Sequence, residues 1–466
     1  MRRKKVVLQN VVLEKYAAEG QSLARVDGKV IFVHNTIPGD EVDVLVQKNK
    51  KDWGEGIALQ FHKYSELRVT PFCQHFGVCG GCQWQMLPYA QQLIYKQQQV
   101  VDNLQRIARI PIPEISPIIG AHHTTHYRNK MEYTFANKRY LLPGELGDPT
   151  INGDENVAGF HARGFFDKVV PIVECHLQAE PTNRLRNSIR DYAKEHDLPH
   201  YDIRMHTGYL RNLQVRLATT GELMVNLVVG YKDDAVLFPL LDFIQSNFPE
   251  ITTLLYTINT KKNDSMYDLE PVVYTGKGFI IEKLEDFSFK ISPKSFFQTN
   301  TRQGERLYEI TRQFAELDGN QVVYDLYCGT GSIGIFVSKM AKKIIGVEVI
   351  EEAIADAKEN AALNQLNSSA FFAGDVIDIV NEQFFEMHGK PDVVITDPPR
   401  AGMHEKLVKK LLEIAAPIIV YVSCNPATQA RDLALLDEKY VVTKVQPVDM
   451  FPHTLHIENI VQLKLR

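Results

Sequence analysis

Residues 321–334 read QVVYDLYCGTGSIG. A near-continuous apolar run meets a turn containing Gly329, Gly331 and Gly334, and an apolar helical stretch follows. A strand covered on both faces has this character, and glycines at its end let the backbone bend sharply and let a ligand approach it. The next run, KKIIGVEV, carries Glu348, 17 residues after Gly331, where a carboxylate can accept hydrogen bonds from both hydroxyls of a ribose. Further apolar runs, SSAFFAGD, DVVITD and PIIVYVSC, alternate with helical patterns. From about residue 303 the predicted fold is therefore α/β, a doubly wound parallel sheet.

In such a sheet the binding crevice lies at the carboxyl ends of the strands. Tyr327, Glu348, Asp375, Asp397 and Cys424 are expected to converge there. The glycine turn with an acidic second strand fits either a dinucleotide or S-adenosylmethionine. Asp375, after Gly374, stands where an acid can bond an adenine amino group, and Asp397-Pro398-Pro399-Arg400 points to methyl transfer rather than hydride transfer. Enzymes with this turn that methylate exocyclic amines place an aromatic residue after the prolines. Arg400 stands there instead, which favours carbon as the acceptor. C5 of uracil is a poor nucleophile until a thiolate adds to C6, and the C5 proton must afterwards be removed by a base. Cys424, followed by Asn425-Pro426, is the candidate thiol, and Glu458, 34 residues on, the candidate base. The bland alternatives are a small buried cysteine and an ordinary carboxylate.

Cys73, Cys79 and Cys82 form a Cys-X5-Cys-Gly-Gly-Cys group, with Cys175 as a distant fourth. Grouped cysteines in a reducing compartment suggest a metal. The spacing leaves an iron–sulfur cluster, zinc and structural thiols open. A radical mechanism needs only three cysteines at another spacing, and a separate methyl-transfer cleft already exists.

Residues 1–64 show short apolar runs between turn signals such as Pro38-Gly39-Asp40, the pattern of a small β-barrel. A long helix is expected over residues 86–109, packing on the catalytic domain. Residues 127–300 alternate β-like runs with helical stretches near 180–196 and 234–247. The 466 residues hold 52 Lys and Arg against 57 Asp and Glu, a net charge of −5, which argues against bulk attraction to nucleic acid but leaves room for a local basic groove. Residues 1–70 are the basic part, with 12 Lys and Arg against 9 Asp and Glu. No apolar run approaches the ~18 residues of a membrane helix, and the basic start lacks an apolar leader, so a cytoplasmic location without membrane association is expected.

SPKSFFQTN (292–300), DLYCGTG (325–331), DPPRAG (397–402), SCNPAT (423–428) and PHTLHIE (452–458) together resemble the RNA 5-methyluridine methyltransferases. The resemblance implies a class I methyltransferase sheet using S-adenosylmethionine. Gln298, Tyr327, Glu348 and Asp397 would contact the cofactor or its cleft, and Asp375 the adenine. Cys424 would be the nucleophile and Glu458 the base. The cysteine spacing resembles the iron–sulfur members of the same family, which implies a [4Fe–4S] cluster on Cys73, Cys79, Cys82 and Cys175. Residues 1–64 resemble the TRAM module, an RNA-binding barrel, with Arg2, Arg3, Lys4, Lys5, Lys48, Lys50, Lys51 and Trp53 as candidate contacts. Three parts are expected: 1–64, the TRAM-like barrel; 65–295, a central α+β domain with the cluster; and 296–466, the methyltransferase domain. The basic and aromatic stretch 122–139 is read as RNA contact or plain surface rather than a metal site at His122, His123 and His126, and Arg128 is a candidate for holding an extruded nucleotide. The barrel and the cysteine triplet together imply 23S ribosomal RNA as substrate, with tRNA as the enzymic alternative and a non-catalytic RNA-binding assembly factor as the alternative of another class. No obligate protein partner is inferred.

Overall fold

A computed structural model describes residues 6–17 and 20–466. Arg2, Arg3, Lys4 and Lys5 lie outside the described residues. Strands β1 (Val6–Val12), β2 (Lys15–Tyr16), β3 (Ser22–Val26), β4 (Lys29–His34), β5 (Glu41–Asn49) and β6 (Trp53–Lys63) form one sheet in the order β1-β5-β6-β4-β3-β2. Alternate residues point inward and enclose Val11, Ile31, Val33, Val42 and Val44. The turn at Pro38-Gly39-Asp40 is a polar hub. Its fully buried Asp40 carboxylate accepts from the Ile37 and Ser65 amides, at 2.8 and 3.0 Å, and from Arg68 at 2.6 Å.

Helix α1 (Tyr89–Asn103) starts directly after Pro88 and gives way to a π-helical turn over Leu104–Ala108. The start comes later than the apolar spacing predicts because proline lacks the amide hydrogen a helix interior needs and is tolerated at a helix start. Gln92, Lys96 and Val100 form its buried face. Two of the three are polar because they meet polar groups. Lys96 Nζ donates to Asp449 Oδ1 at 2.6 Å and to the Phe451 carbonyl at 3.1 Å, and the Tyr89 hydroxyl donates to Asp449 Oδ2 at 2.8 Å.

The middle of the chain builds a second sheet from β7 (Lys130–Ala136), β8 (Val157–His161), β9 (Val169–Pro171), β10 (Leu210–Leu217), β11 (Leu223–Val229), β12 (Thr253–Ile258) and β13 (Val272–Thr275), in the order β13-β12-β11-β10-β7-β8-β9. Helices α2 (Thr182–Glu195) and α3 (Asp234–Asn247) fall where the sequence places helical stretches. A hairpin, β14 (Ile280–Leu284) with β15 (Phe287–Ile291), and α4 (Thr301–Ala315) lead into the last sheet.

That sheet comprises β16 (Val322–Leu326), β17 (Lys343–Glu348), β18 (Ser369–Ala373), β19 (Val393–Thr396), β20 (Ile418–Ser423), β21 (Tyr440–Val448) and β22 (Glu458–Leu465), ordered β18-β17-β16-β19-β20-β22-β21. The first five in chain order are parallel, and β22 runs antiparallel between β20 and β21. This is the class I methyltransferase arrangement. The antiparallel pair is absent from the sequence reading because Glu458, Asn459 and Gln462 interrupt the apolar signal of β22, although all three are buried. Among the described residues, no helix is long and apolar enough to cross a membrane.

The Lys96–Asp449 pair is fully enclosed at both ends. Lys96→Ala strands a buried carboxylate, so a loss of about 3–5 kcal/mol is expected in urea unfolding. A loss under 1 kcal/mol would show that water reaches Asp449.

Candidate active site

The turn after β16 is wound left-handed at three of five positions: Tyr327 at φ 59°, Gly329 at 51° and Gly331 at 77°. Gly331 is required, since a Cβ there would stand 2.9 Å from the Phe371 ring. Tyr327 holds a conformation that costs a non-glycine residue about 1–3 kcal/mol, at the rim of a cleft of about 310 Å³. Glu348 and Asp375 line the same cleft, with Val347, Ile377 and Leu407 as an apolar wall. Glu348 is anchored at both oxygens, accepting from the Gly329 amide at 3.3 Å and the Ile350 amide at 3.1 Å. Asp375 caps its helix by accepting from the Ile377 amide at 2.9 Å. Carboxylates beside a flat apolar wall suit a nucleoside.

A second group is built by the pairing of β20 with β22. Ser423 is paired with Asn459. Cys424 directly follows Ser423 and Glu458 directly precedes Asn459, which brings the two to the same end of the ladder. The ladder end is fixed by buried amides: Asn459 Nδ2 donates to Gln429 Oε1 at 2.7 Å, and Gln429 Nε2 donates to the Tyr421 and Asn459 carbonyls. Burial, then the negative neighbours Glu458 and Asp397, push the Cys424 thiol up to about 11, and Arg400 alone among the neighbouring charges pulls it down. Burial, then Asp397, holds the Glu458 carboxyl well above the usual carboxylate range. Glu458 Oε2 is enclosed without a hydrogen-bond partner. Burial raises Asp397 to about 7. Asp325 also rises to about 7, first by burial and further through the negative charges of Asp397 and Glu348, while the Gly334 amide it accepts from pulls it down.

Arg400 is a residue whose part the sequence reading missed. That reading used it only as a missing aromatic ring. Its Nη2 lies 3.0 Å from His456 Nδ1, and its carbonyl accepts from Asn425 Nδ2 at 3.0 Å. Burial and the neighbouring guanidinium lower His456 to about 4, leaving the ring neutral. A cation directly after an acid-Pro-Pro turn, near a candidate thiol, was the available signal. Gln298 is not among the residues that line the cleft of about 310 Å³. It is buried, its carbonyl accepts from Asn129 Nδ2 at 2.8 Å, and its side-chain carbons lie where a Cβ on Gly304 would press.

Cys73, Cys79, Cys82 and Cys175 line one cavity of about 740 Å³ together with Gly80, Gly81, Arg128, Lys130, Phe296 and His456. Asn183 grips Cys175 at both peptide groups, accepting from its amide at 2.8 Å and donating to its carbonyl at 3.2 Å. Burial raises Cys79 to about 11 and Cys82 to about 12. A zinc ion would hold its sulfurs within about 4 Å of one another. Among the described residues, no three His, Cys, Asp or Glu side chains are grouped closely enough to hold a metal ion.

Of the remaining candidates, those in the N-terminal sheet and His122, His123 and His126 are on the surface, while Arg128 is half-buried. Lys48 is paired with Glu55 at 2.7 Å, while Lys50, Lys51 and Trp53 are exposed. His123 Nε2 faces Arg302 at 2.6 Å, an arrangement unsuited to a metal. The Arg128 guanidinium stands over the Phe451 ring at 5.9 Å.

Residues 274–466 match a family model described as tRNA (uracil-5-)-methyltransferase, and residues 2–59 match the TRAM domain. A Bacteroides thetaiotaomicron protein named as an uncharacterized RNA methyltransferase is 52% identical over 97% of this chain and 100% of its own. A Chlorobaculum tepidum protein named in the same way is 41% identical over 91% and 89%. Among solved structures, Pyrococcus abyssi tRNA (uracil-54, C5)-methyltransferase in complex with S-adenosyl-L-homocysteine is similar at a TM-score of 0.75 and 29% identity, over 98% of this chain and 100% of that one.

With its thiol held near 11, Cys424 is neutral at pH 7 and gains thiolate as pH rises. Its alkylation by iodoacetamide in the free protein is expected to accelerate about tenfold per unit between pH 7 and 10. Glu458→Gln shifts that curve to lower pH and Arg400→Ala to higher pH, as followed by peptide mass mapping. A curve that neither variant moves would separate these charges from the thiol.

Proposed function

The chain belongs to the RNA uracil-5-methyltransferase family, and on that premise we propose that it methylates C5 of a specific uridine through a covalent bond between Cys424 and uracil C6. It is an S-adenosylmethionine-dependent RNA methyltransferase. The observation that supports the covalent reading is that the Cys424 thiol follows β20 at the end of the ladder where Glu458, with one carboxyl oxygen unpartnered, opens β22.

S-adenosylmethionine supplies an electrophilic methyl group when bound. Tyr327, Glu348 and Asp375 would hold its nucleoside, and Asp397 borders the reacting centre. Gln298 enters as a cofactor contact through family resemblance alone. The reaction then falls to two side chains. Cys424 would lose its proton to solvent and its Sγ would add to C6. The C5=C6 pair would move onto C5, which would take the methyl group as the methyl–sulfonium bond breaks and S-adenosylhomocysteine leaves. Glu458 takes the proton from C5, the double bond re-forms, and Sγ leaves. A carboxylate in a poorly solvated site is a stronger base than one in water, which suits Glu458 to the proton transfer.

The four cysteines fit a [4Fe–4S] cluster in the chemistry of their donor set and in the glycines between them. Its role would be to organise the turn, since the methyl transfer needs no electron. Arg128, Lys130 and the exposed Phe296 give the adjoining cavity the cations and the stacking surface that unpaired RNA requires. The proposed organisation remains 1–64, 65–295 and 296–466. The proposed substrate is 23S ribosomal RNA, on the combination of TRAM-like sheet and cysteine group. Full-length similarity to an enzyme named for a tRNA uracil supports tRNA as the second reading. The proposed location is the cytoplasm.

Cys424→Ala is expected to reduce methylation of RNA to background. Glu458→Gln is expected to lower turnover by about 10²–10⁴-fold while a protein–RNA adduct that survives denaturing gels builds up. Transfer of labelled methyl into 23S transcripts but not tRNA transcripts selects the first substrate, and the reverse selects the second. A Cys424→Ala protein that still methylates either RNA refutes the covalent reading.

A further inference from the structure

His453 stands five residues before Glu458, and its backbone is left-handed at φ 64°. A non-glycine residue holds that conformation only under constraint. Both of its peptide groups are bound by one stretch of chain, residues 83–92. Its amide donates to Gln92 Oε1 at 2.9 Å, and its carbonyl accepts from the Gln83 and Trp84 amides at 2.9 and 3.1 Å. Its ring Nδ1 lies 3.1 Å from Gln92 Nε2.

Gln92 is at the centre of this clamp. It is fully buried on α1, where an amide is costly unless its polar atoms are used. Its Nε2 also donates to the Trp84 and Leu87 carbonyls, each at 3.0 Å, so the side chain cannot turn without breaking several bonds. One helical turn on, Lys96 binds Asp449 and the Phe451 carbonyl on the other side of His453. Beyond His453 the path is also bonded: the Thr454 amide donates to the Phe451 carbonyl at 3.2 Å, and the His456 amide to Thr454 Oγ1 at 3.2 Å. The chain then enters β22 with Glu458 as its first residue. The last pair of the β21–β22 ladder is Val448 with Glu458, and the loop that joins them, residues 449–457, has the clamped His453 at its middle, so the loop's conformation bears directly on that terminal pair.

We propose that Gln92 is a positioning residue for proton removal from C5: it locks His453 in its left-handed turn and so aims Glu458 at the carbon that Cys424 has activated. This rests on Glu458 being the base. Gln92 touches neither substrate nor cofactor in this scheme, so losing it should leave addition of Cys424 intact and slow only the later step.

The test follows both steps in full-length protein with unmodified uridine RNA and S-adenosylmethionine, in Gln92→Met, Gln92→Glu and Glu458→Gln. Gln92→Met keeps the volume and loses both polar atoms. Gln92→Glu keeps an acceptor for the His453 amide. Gln92→Met is expected to form the adduct at the wild-type rate and to resolve it about tenfold or more slowly, so that adduct accumulates, kcat falls and KM for RNA stays within about twofold. Gln92→Glu should fall between it and wild type, and it carries the test if Gln92→Met does not fold. Adduct formation and turnover declining in parallel, without accumulation, would make Gln92 merely structural and overturn the proposal. Unchanged turnover would overturn it too. Glu458→Gln is the control. If it accumulates adduct and the Gln92 variants do not, the positioning role fails alone. If it does not, the base assignment fails first.

Discussion

An antiparallel strand set into an otherwise parallel sheet is the constraint on which the site depends. Parallel strands deliver their carboxyl ends to one edge, which is why Tyr327, Glu348, Asp397 and Cys424 gather there. A strand running the other way brings its beginning to that edge. β22 therefore supplies Glu458 from its first position, at the end of the ladder where Cys424 follows β20. Backbone pairing brings two groups 34 residues apart in the chain to the same edge.

That meeting concentrates acid in a poorly solvated place. Asp325, Asp397, Glu458 and Cys424 are all shifted upward, in each case with burial as the first cause. Such a cluster retains protons that the same groups would release in water, and their titrations are linked. Arg400 is the counterweight, drawing both Cys424 and Glu458 back toward ionisation. The same segment is held from behind by polar contacts as well as by the apolar packing of Met450 and Ile457. Asp449 binds Lys96 and Tyr89, the Pro452 carbonyl accepts from Tyr127, and the Met450 carbonyl accepts from Asn300. Directional bonds of this kind fix orientation as well as proximity, which apolar packing does less sharply.

The parallel half of the catalytic sheet was legible because its strands are buried on both faces and so read as apolar runs ending in turn residues. Tyr327, Glu348 and Asp375 share a cleft because strand ends must converge, a rule that needs only the order of the elements. β22 was hidden by its own buried polar residues, and with it went the geometric reason for pairing Cys424 with Glu458. Chemistry alone suggested that pair. The polar face of α1 was read as a helix but not as a clamp, because Gln92 and Lys96 look like surface residues until their partners some 350 positions away are in place. Arg400 was noticed for what it is not, since a charge shows its effect on a thiol only once the distance is known. Gln298 has its proposed role from family resemblance alone, and its own contacts are with Asn129 and Gly304.

The central claim is that the Cys424 sulfur bonds to the target pyrimidine. Fluorine at C5 cannot leave as a proton, so RNA carrying 5-fluorouridine should halt the reaction after methyl transfer. Incubating the protein with that RNA and S-adenosylmethionine, followed by digestion and mass mapping, is expected to find one nucleotide, with an added methyl group, attached at Cys424. A nucleotide attached elsewhere, or methyl transfer to RNA with no attachment at all, would contradict the account.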